Sequence, residues 1–330
     1  MTQIQAGSGG PYARILSIGS SVPSRVVDNA EMCTFIDSSD EWIQQRTGIR
    51  ERRWVAQDET VESMALEASR QAIERAGIDP AQIGAVIVST VSYFHQTPSM
   101  AAVLANQLGT KGAAYDISAA CAGFCYAVAQ GEALVRSGAA KYALVIGVEA
   151  LSKMTNLSDR STAFLFADGA GAAIIGPSEV NGIGPVEWGS DGSQAEVITQ
   201  TSDWEASVAG QDWPYIRMNG NIVFRWATSF IAEAAKRTLE RAGLTPDQLD
   251  VFIPHQANNR ITDSMLRHLK LPKDVVIART IVDYGNNSAA SVPMAMNALL
   301  ESGEATSGQT ALIIGFGAGL VWAGQVVTLP

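Results

Sequence analysis

The sequence predicts an α/β fold of layered sheets. Three observations lead there: strands apolar at every position, helical segments alternating with them, and a motif that occurs twice in the same setting. Runs such as Ala85–Thr90, Ala143–Gly147, Ala172–Ile175 and Ala311–Ile314 have the pattern of strands covered by helices on both faces. Between such strands lie Val61–Ala76, Met100–Leu108, Ala122–Ser137, Ile222–Ala242, Ile261–Leu269 and Val292–Ser302, segments suited to helices that cover the sheets. The motif Glu74-Arg-Ala-Gly-Ile-Asp-Pro-Ala-Gln-Ile-Gly-Ala-Val-Ile-Val-Ser returns as Glu240-Arg-Ala-Gly-Leu-Thr-Pro-Asp-Gln-Leu-Asp-Val-Phe-Ile-Pro-His. In both copies a helix stops at glycine (Gly77, Gly243), proline (Pro80, Pro246) opens a short turn, and an apolar strand follows. Tyr142-Ala-Leu-Val-Ile-Gly is echoed later by Thr310-Ala-Leu-Ile-Ile-Gly. The chain is therefore expected to be internally duplicated, with halves 1–178 and 179–330 that meet in the Gly/Pro-rich stretch Gly176–Pro185 and pack about a pseudo-twofold axis.

Composition narrows the class. Of 330 residues, 47% are hydrophobic and 17% charged, enough for a large core and too apolar for disorder. No apolar run approaches the roughly 20 residues of a membrane helix, and the first ten residues lack the basic and apolar parts of a signal peptide. Three cysteines make no disulfide framework, and no Cys/His cluster has zinc spacing, so a cytoplasmic protein without metal is expected. A formal charge of −10 argues against general nucleic-acid binding, and any partner that needs a positive surface must find it locally.

Candidate chemistry begins at Cys121, in Asp116-Ile-Ser-Ala-Ala-Cys-Ala-Gly-Phe-Cys-Tyr-Ala, where an extended segment turns into a helix. Free N–H groups and the positive end of the helix dipole favour thiolate at such a place. A small buried hydrophobe is the plainer reading of a cysteine among alanines. His255 ends the strand of the second repeat in Pro254-His-Gln-Ala-Asn258, and Asn286 stands in Gly285-Asn-Asn-Ser-Ala-Ala-Ser291. Cys121 lies 44 residues after Gly77 and Asn286 lies 43 after Gly243, so the duplication brings the two loops into comparison. A thiol with two neutral N–H donors can carry nucleophilic catalysis with oxyanion stabilisation. Gly315-Phe-Gly-Ala-Gly-Leu320 is not a dinucleotide loop, because a strand follows and no helix remains to receive a pyrophosphate. Phe166-Ala-Asp-Gly-Ala-Gly-Ala172 lacks phosphate-loop spacing and reads as a buried turn entering a strand.

Together, Asp-Ile-Ser-Ala-Ala-Cys-Ala-Gly-Phe, Pro-His-Gln-Ala-Asn and Gly-Asn-Asn-Ser-Ala-Ala-Ser-Val-Pro resemble β-ketoacyl-acyl carrier protein synthase III, over nearly the whole chain. Ser39-Asp-Glu-Trp-Ile-Gln-Gln-Arg-Thr-Gly-Ile-Arg50 and the C-terminal glycine turn belong to the same likeness. The resemblance implies a thiolase-like fold, layered αβαβα, as a homodimer. It implies acyl transfer from acyl-CoA to Cys121, then decarboxylative condensation with malonyl-acyl carrier protein assisted by His255 and Asn286. The N–H groups of Cys121 and Ala318 would form the oxyanion hole. Trp42, Arg46, Arg160 and Asn258 would hold coenzyme A, a substrate here, with no cofactor required. Thr97 and Phe316 would line the acyl pocket. Arg225, Arg260, Arg267, His268 and Lys270 would form the basic patch for the acidic carrier protein. Thr97 stands where some members have phenylalanine, which implies room for a longer or branched starter, and Asn287 stands where threonine is frequent. Cys33 and Cys125 read as structural.

A degradative thiolase would need a second cysteine near the final glycine turn, and an elongating synthase a histidine in place of Asn286. A priming synthase of polyketide metabolism keeps the same three residues and stays open. So does a cysteine hydrolase, which would release free acid without a malonyl donor. A catalytically dead subunit would lack the nucleophile.

Overall fold

A computed structural model describes residues 9–330. Residues 1–8, most of the segment read as lacking a leader, lie outside the described part. Five strands of the first half are β1 (Tyr12–Ser21), β2 (Ile83–Ser89), β3 (Ala113–Ile117), β4 (Tyr142–Ala150) and β5 (Asp168–Ser178), in the sheet order β1-β5-β4-β2-β3. The second half supplies β6 (Glu187–Ser190), β7 (Val251–Pro254), β8 (Val276–Ile277), β9 (Thr310–Gly317) and β10 (Val321–Thr328), in the order β6-β10-β9-β7-β8. In both sheets the first two pairings are antiparallel and the last two parallel. The duplication seen in two short motifs thus extends to the whole topology, and the chain passes between sheets from Ser178 to Glu187.

Six helices make the remaining layers: α1 (Val61–Ala76), α2 (Met100–Leu108), α3 (Gly123–Ser137), α4 (Ala232–Arg241), α5 (Asn259–Leu269) and α6 (Ser291–Ser302). Alternate residues of β4 explain its unbroken apolar run. Ala143 and Val145 point to a central core with Phe124 and Val128 of α3, and with Val292 and Met296 of α6. Leu144, Ile146 and Val148 point the other way, to an outer core under α1 and α2. The second sheet does the same beneath α4 and α5, where Phe252, Leu312 and Ile314 meet Leu239 and Met265. The layers are αβαβα, with α3 and α6 shared between the sheets. Each fully buried aliphatic side chain there contributes about 1.5–3 kcal/mol.

Local sequence sets the ends. Thr60 and Ser63 form a reciprocal capping box at α1, and Ser99 accepts from Ala102 N–H at α2. The helix expected over 222–242 begins at Gly220 and contains a π turn at Ala227–Ile231. The Thr228 and Ser229 hydroxyls donate to the carbonyls of Phe224 and Arg225, giving those carbonyls partners outside the helical ladder. The sequence reading omitted two short antiparallel strand pairs, Arg25–Asp28 with Glu51–Trp54 and Ile198–Gln200 with Ile216–Met218; of these the second lines the cleft through Ile198 and Met218, beside Trp42, Arg46 and Thr47 of helix Asp40–Thr47. Among the described residues no helix is long and apolar enough to cross a membrane, and no cluster of three His, Cys, Asp or Glu is placed to hold a metal.

Candidate active site

Cys121 occupies a short 3-10 turn, Ala120–Ala122, between β3 and α3. Its counterpart is the turn Ser288–Ala290 before α6, and the two turns touch. Each starts on a non-glycine residue in the left-handed region, Ala120 at φ 43° and Ser288 at φ 45°, a conformation held only where surrounding packing enforces it. The matched turns align Cys121 with Ala289, and Asn286 with Ser118. Counting 44 residues from Gly243, as from Gly77 to Cys121, reaches Asn287, so the matched turns move that register by two residues. Gly317 closes on the nucleophile: a Cβ there would lie 2.8 Å from Cys121 Sγ.

His255, Asn286 and Cys121 share one cleft of about 290 Å³, walled by Phe316 and Gly317. His255 and Asn286 are buried, and Cys121 is half-buried. The edge of the His255 ring meets Phe316, with centroids 5.3 Å apart. Asn286 is held by its backbone, which donates to Leu165 O at 3.0 Å and accepts from Ala167 N at 2.9 Å. Its Oδ1 accepts from Ser288 N–H at 3.0 Å, which leaves the Nδ2 hydrogens for the cleft. Burial pushes the His255 imidazolium down to about 3, so the ring is neutral at pH 7.

Burial also pushes the Cys121 thiol up to about 12, against hydrogen bonds from the Ser288 side chain and its own backbone, and nearby Glu149 raises it further. The unliganded site therefore holds a thiol, where the helix N-terminus alone suggested a thiolate. Desolvation of the sulfur is the larger effect. Cys125 is likewise pushed up to about 12 by burial and is inert.

Sequence reasoning missed Glu149. Its carboxyl is fully buried; one oxygen accepts from Ser92 Oγ at 2.6 Å, Val91 N at 3.1 Å and Thr90 Oγ1 at 3.3 Å. Burial raises it to about 7. A lone acid inside the apolar run Tyr142–Ala150 was the available signal. Asp168, in the buried turn read from the sequence, is raised to about 6 by burial while accepting from Val55 N and from Ser152.

At the mouth, Trp42 lies between two cations, Arg160 at 4.8 Å and Arg46 at 5.4 Å, and its ring packs edge-on against Phe164 at 5.3 Å. Asn258 caps α5 and donates from Nδ2 to Arg46 O at 3.0 Å, tying that helix to Asp40–Thr47. Arg260 lines the same mouth over Phe224. Arg225, Arg260, Arg267, His268 and Lys270 are exposed, and His268 Nε2 lies 2.6 Å from Glu233 Oε1, so that ring is already engaged within the chain. Ala318 follows Gly317 in the turn to β10. Within one chain Thr97 sits on the exposed loop between β2 and α2 and is not among the residues that line the cleft, whereas Phe316 is. That loop leads from the end of β2 out to the sheet edge formed by β3, and residues of β3 and its C-terminal end wall a separate depression there.

A repeated half-fold in five layers, with a thiol, an imidazole and a carboxamide meeting between the halves, defines a condensing enzyme of the thiolase-like class. Family models described as 3-oxoacyl-[acyl-carrier-protein] synthase III match residues 115–192 and, for its C-terminal part, 239–329. Proteins named β-ketoacyl-[acyl-carrier-protein] synthase III from Streptomyces coelicolor and Streptomyces glaucescens are 53% and 54% identical, with both chains covered in full. The priming β-ketosynthase of the R1128 polyketide pathway has a TM-score of 0.96 at 45% identity, covering 100% of this chain and 99% of its own. The synthase III of Aquifex aeolicus has a TM-score of 0.88 at 36% identity, covering 96% and 99%. The chain belongs to the β-ketoacyl-acyl carrier protein synthase III family, and it is an acyltransferase.

Proposed function

We propose that the protein moves an acyl group from acyl-CoA to Cys121 and condenses it with malonyl-acyl carrier protein to give a 3-oxoacyl product. The single observation that carries this reading is the cleft shared by Cys121, neutral His255 and Asn286, whose Oδ1 is already engaged. As the Cys121 sulfur attacks the thioester carbon, the N–H groups of Cys121 and Ala318 stabilise the oxyanion; the C–S bond to coenzyme A then breaks, and the proton given up by Cys121 balances the one that coenzyme A takes as it leaves as its thiol. The malonyl thioester then enters. Hydrogen bonds from His255 and Asn286 to its carbonyl oxygen hold the enolate formed as CO2 departs; its carbon attacks acyl-Cys121, the C–S bond breaks, and the Cys121 thiolate released takes a proton from water to return to the thiol. Written this way, the reaction uses neither metal nor redox cofactor.

Trp42, Arg46 and Arg160 suit the nucleotide end of coenzyme A, since a ring flanked by guanidinium groups can stack a base beside phosphate-binding charge, and Asn258 suits the pantetheine. Arg225, Arg260, Arg267 and Lys270, with His268 at their edge, suit an acidic carrier protein on a chain of net charge −10. A cytoplasmic homodimer completes the reading. The edge strand β3 and the exposed side chain of Phe94, near Thr97, support a second copy on that face, from which alone Thr97 could act on an acyl pocket.

The test incubates the protein with acetyl-, branched and longer acyl-CoAs and measures the mass added to the Cys121 peptide, then adds malonyl-acyl carrier protein. Adduct formation followed by a 3-oxoacyl product is expected. An unmodified Cys121, or an adduct lost only to water, overturns the reading. The likeness to the R1128 priming enzyme keeps a polyketide starter role as the second reading, favoured if a polyketide carrier protein is used over the fatty-acid one.

A further inference from the structure

We propose that Ser291 is a positioning residue that fixes His255 in the tautomer with its proton on Nε2, so that the ring offers a donor to the cleft. This rests on the condensing reading above. Ser291 Oγ lies 2.7 Å from His255 Nδ1 and accepts from Gln256 N–H at 3.3 Å. Its side chain is fully buried, so no bulk solvent competes. A hydroxyl has one proton to give and two lone pairs. With Gln256 N–H on one lone pair, donation from Ser291 to Nδ1 satisfies every group. In the reverse arrangement Nδ1–H would take the second lone pair, the Ser291 proton would face no acceptor, and Nε2 would turn a lone pair toward a developing enolate oxygen.

Two further features assign the hydroxyl to this task. Ser291 opens α6, yet its side chain makes no helix cap. In the first half the place of His255 is taken by Ser89 and that of Ser291 by Gly123, where a Cβ would lie 1.7 Å from Ser89 Oγ. The fold thus builds the same strand-end and turn with glycine at the place of Ser291 where no imidazole has to be oriented. Gln256 is itself immobilised: its side chain donates to Pro254 O at 2.8 Å and to Ala278 O at 3.2 Å, which holds its N–H on Ser291.

The direct test is 15N NMR of histidine-labelled native protein, with the His255 signals assigned by their loss in His255→Ala. A pyrrole-like shift at Nε2 and a pyridine-like shift at Nδ1 are expected; the opposite pattern overturns the proposal whatever the activity. Ser291→Ala gives the kinetic counterpart. Cys121 acylation by acyl-CoA should stay within about twofold, while CO2 release from malonyl-acyl carrier protein falls about tenfold to a hundredfold, as for loss of one aligned donor. Ser291→Gly, which carries the residue of the other half, should behave the same if the alanine variant folds poorly. Equal losses in both half-reactions, or none in either, would refute the role. Failure of native protein to acylate Cys121 would instead sink the condensing reading and leave the tautomer to be decided by NMR.

Discussion

Among single residues, Asn286 gives the cleanest separation of the two half-reactions, because its backbone and Oδ1 are already committed and only Nδ2 is left to act. Asn286→Asp keeps the shape and replaces a donor with an acceptor. The expected outcome is retained acylation of Cys121 and a fall of about 10²–10³ in condensation rate, read by single-turnover assays of each step. Glu149 supplies a pH signature. Its carboxyl goes from an ordinary 4.5 to about 7 on burial, so the folded state holds the proton more tightly than the unfolded chain. That stabilisation is complete below pH 4.5 and is lost as the pH rises through 7, leaving a buried charge that costs roughly 3 kcal/mol at most. Glu149→Gln removes the charge. Its melting temperature relative to the native chain should therefore rise between pH 5 and pH 8, and a constant difference would mean that the carboxyl does not titrate this way.

At the level of elements, the mouth depends on two helices being locked together. Helix Asp40–Thr47 ends on Gly48 at φ 85°, and a Cβ there would lie 2.2 Å from the Asn259 side chain at the start of α5. Gly48→Ala combines a strained backbone with this clash, and a loss of about 2–3 kcal/mol is expected in urea unfolding. Weaker use of acyl-CoA should accompany it, since Asn258 bonds to the same helix. Trp42→Ala should raise KM for acyl-CoA about tenfold with little change in kcat, as expected when stacking on a base is removed; unchanged KM would dissociate Trp42 from the nucleotide. The elements themselves were largely legible. Caps at Thr60 and Ser99, stops at Gly77 and Gly243, and fully apolar strands are local signals. The π turn after Trp226 and the two short strand pairs were not, because hydroxyl back-bonding and pairing of three- or four-residue strands depend on neighbours far along the chain.

For the whole molecule, α3 and α6 serve both sheets, so the halves should not unfold separately. Denaturation followed by far-ultraviolet circular dichroism and by tryptophan fluorescence should trace one transition, and two resolved steps would contradict a shared central layer. Thr97→Phe should depress longer or branched starters far more than acetyl if a second copy brings this loop to the pocket; equal losses would remove Thr97 from specificity. By itself the sequence determined the layered α/β class, the duplication, and the three segments bearing Cys121, His255 and Asn286, because apolar period, turn chemistry and repetition are written in neighbouring residues. Only the tertiary structure decided the rest. It shifted the match of the two turns by two residues, kept Thr97 out of its own chain's cleft, and set Glu149 and Ser291 behind the reacting groups. Burial likewise reversed the expectation for Cys121, because desolvation depends on what the fold packs around a sulfur and not on the residues beside it.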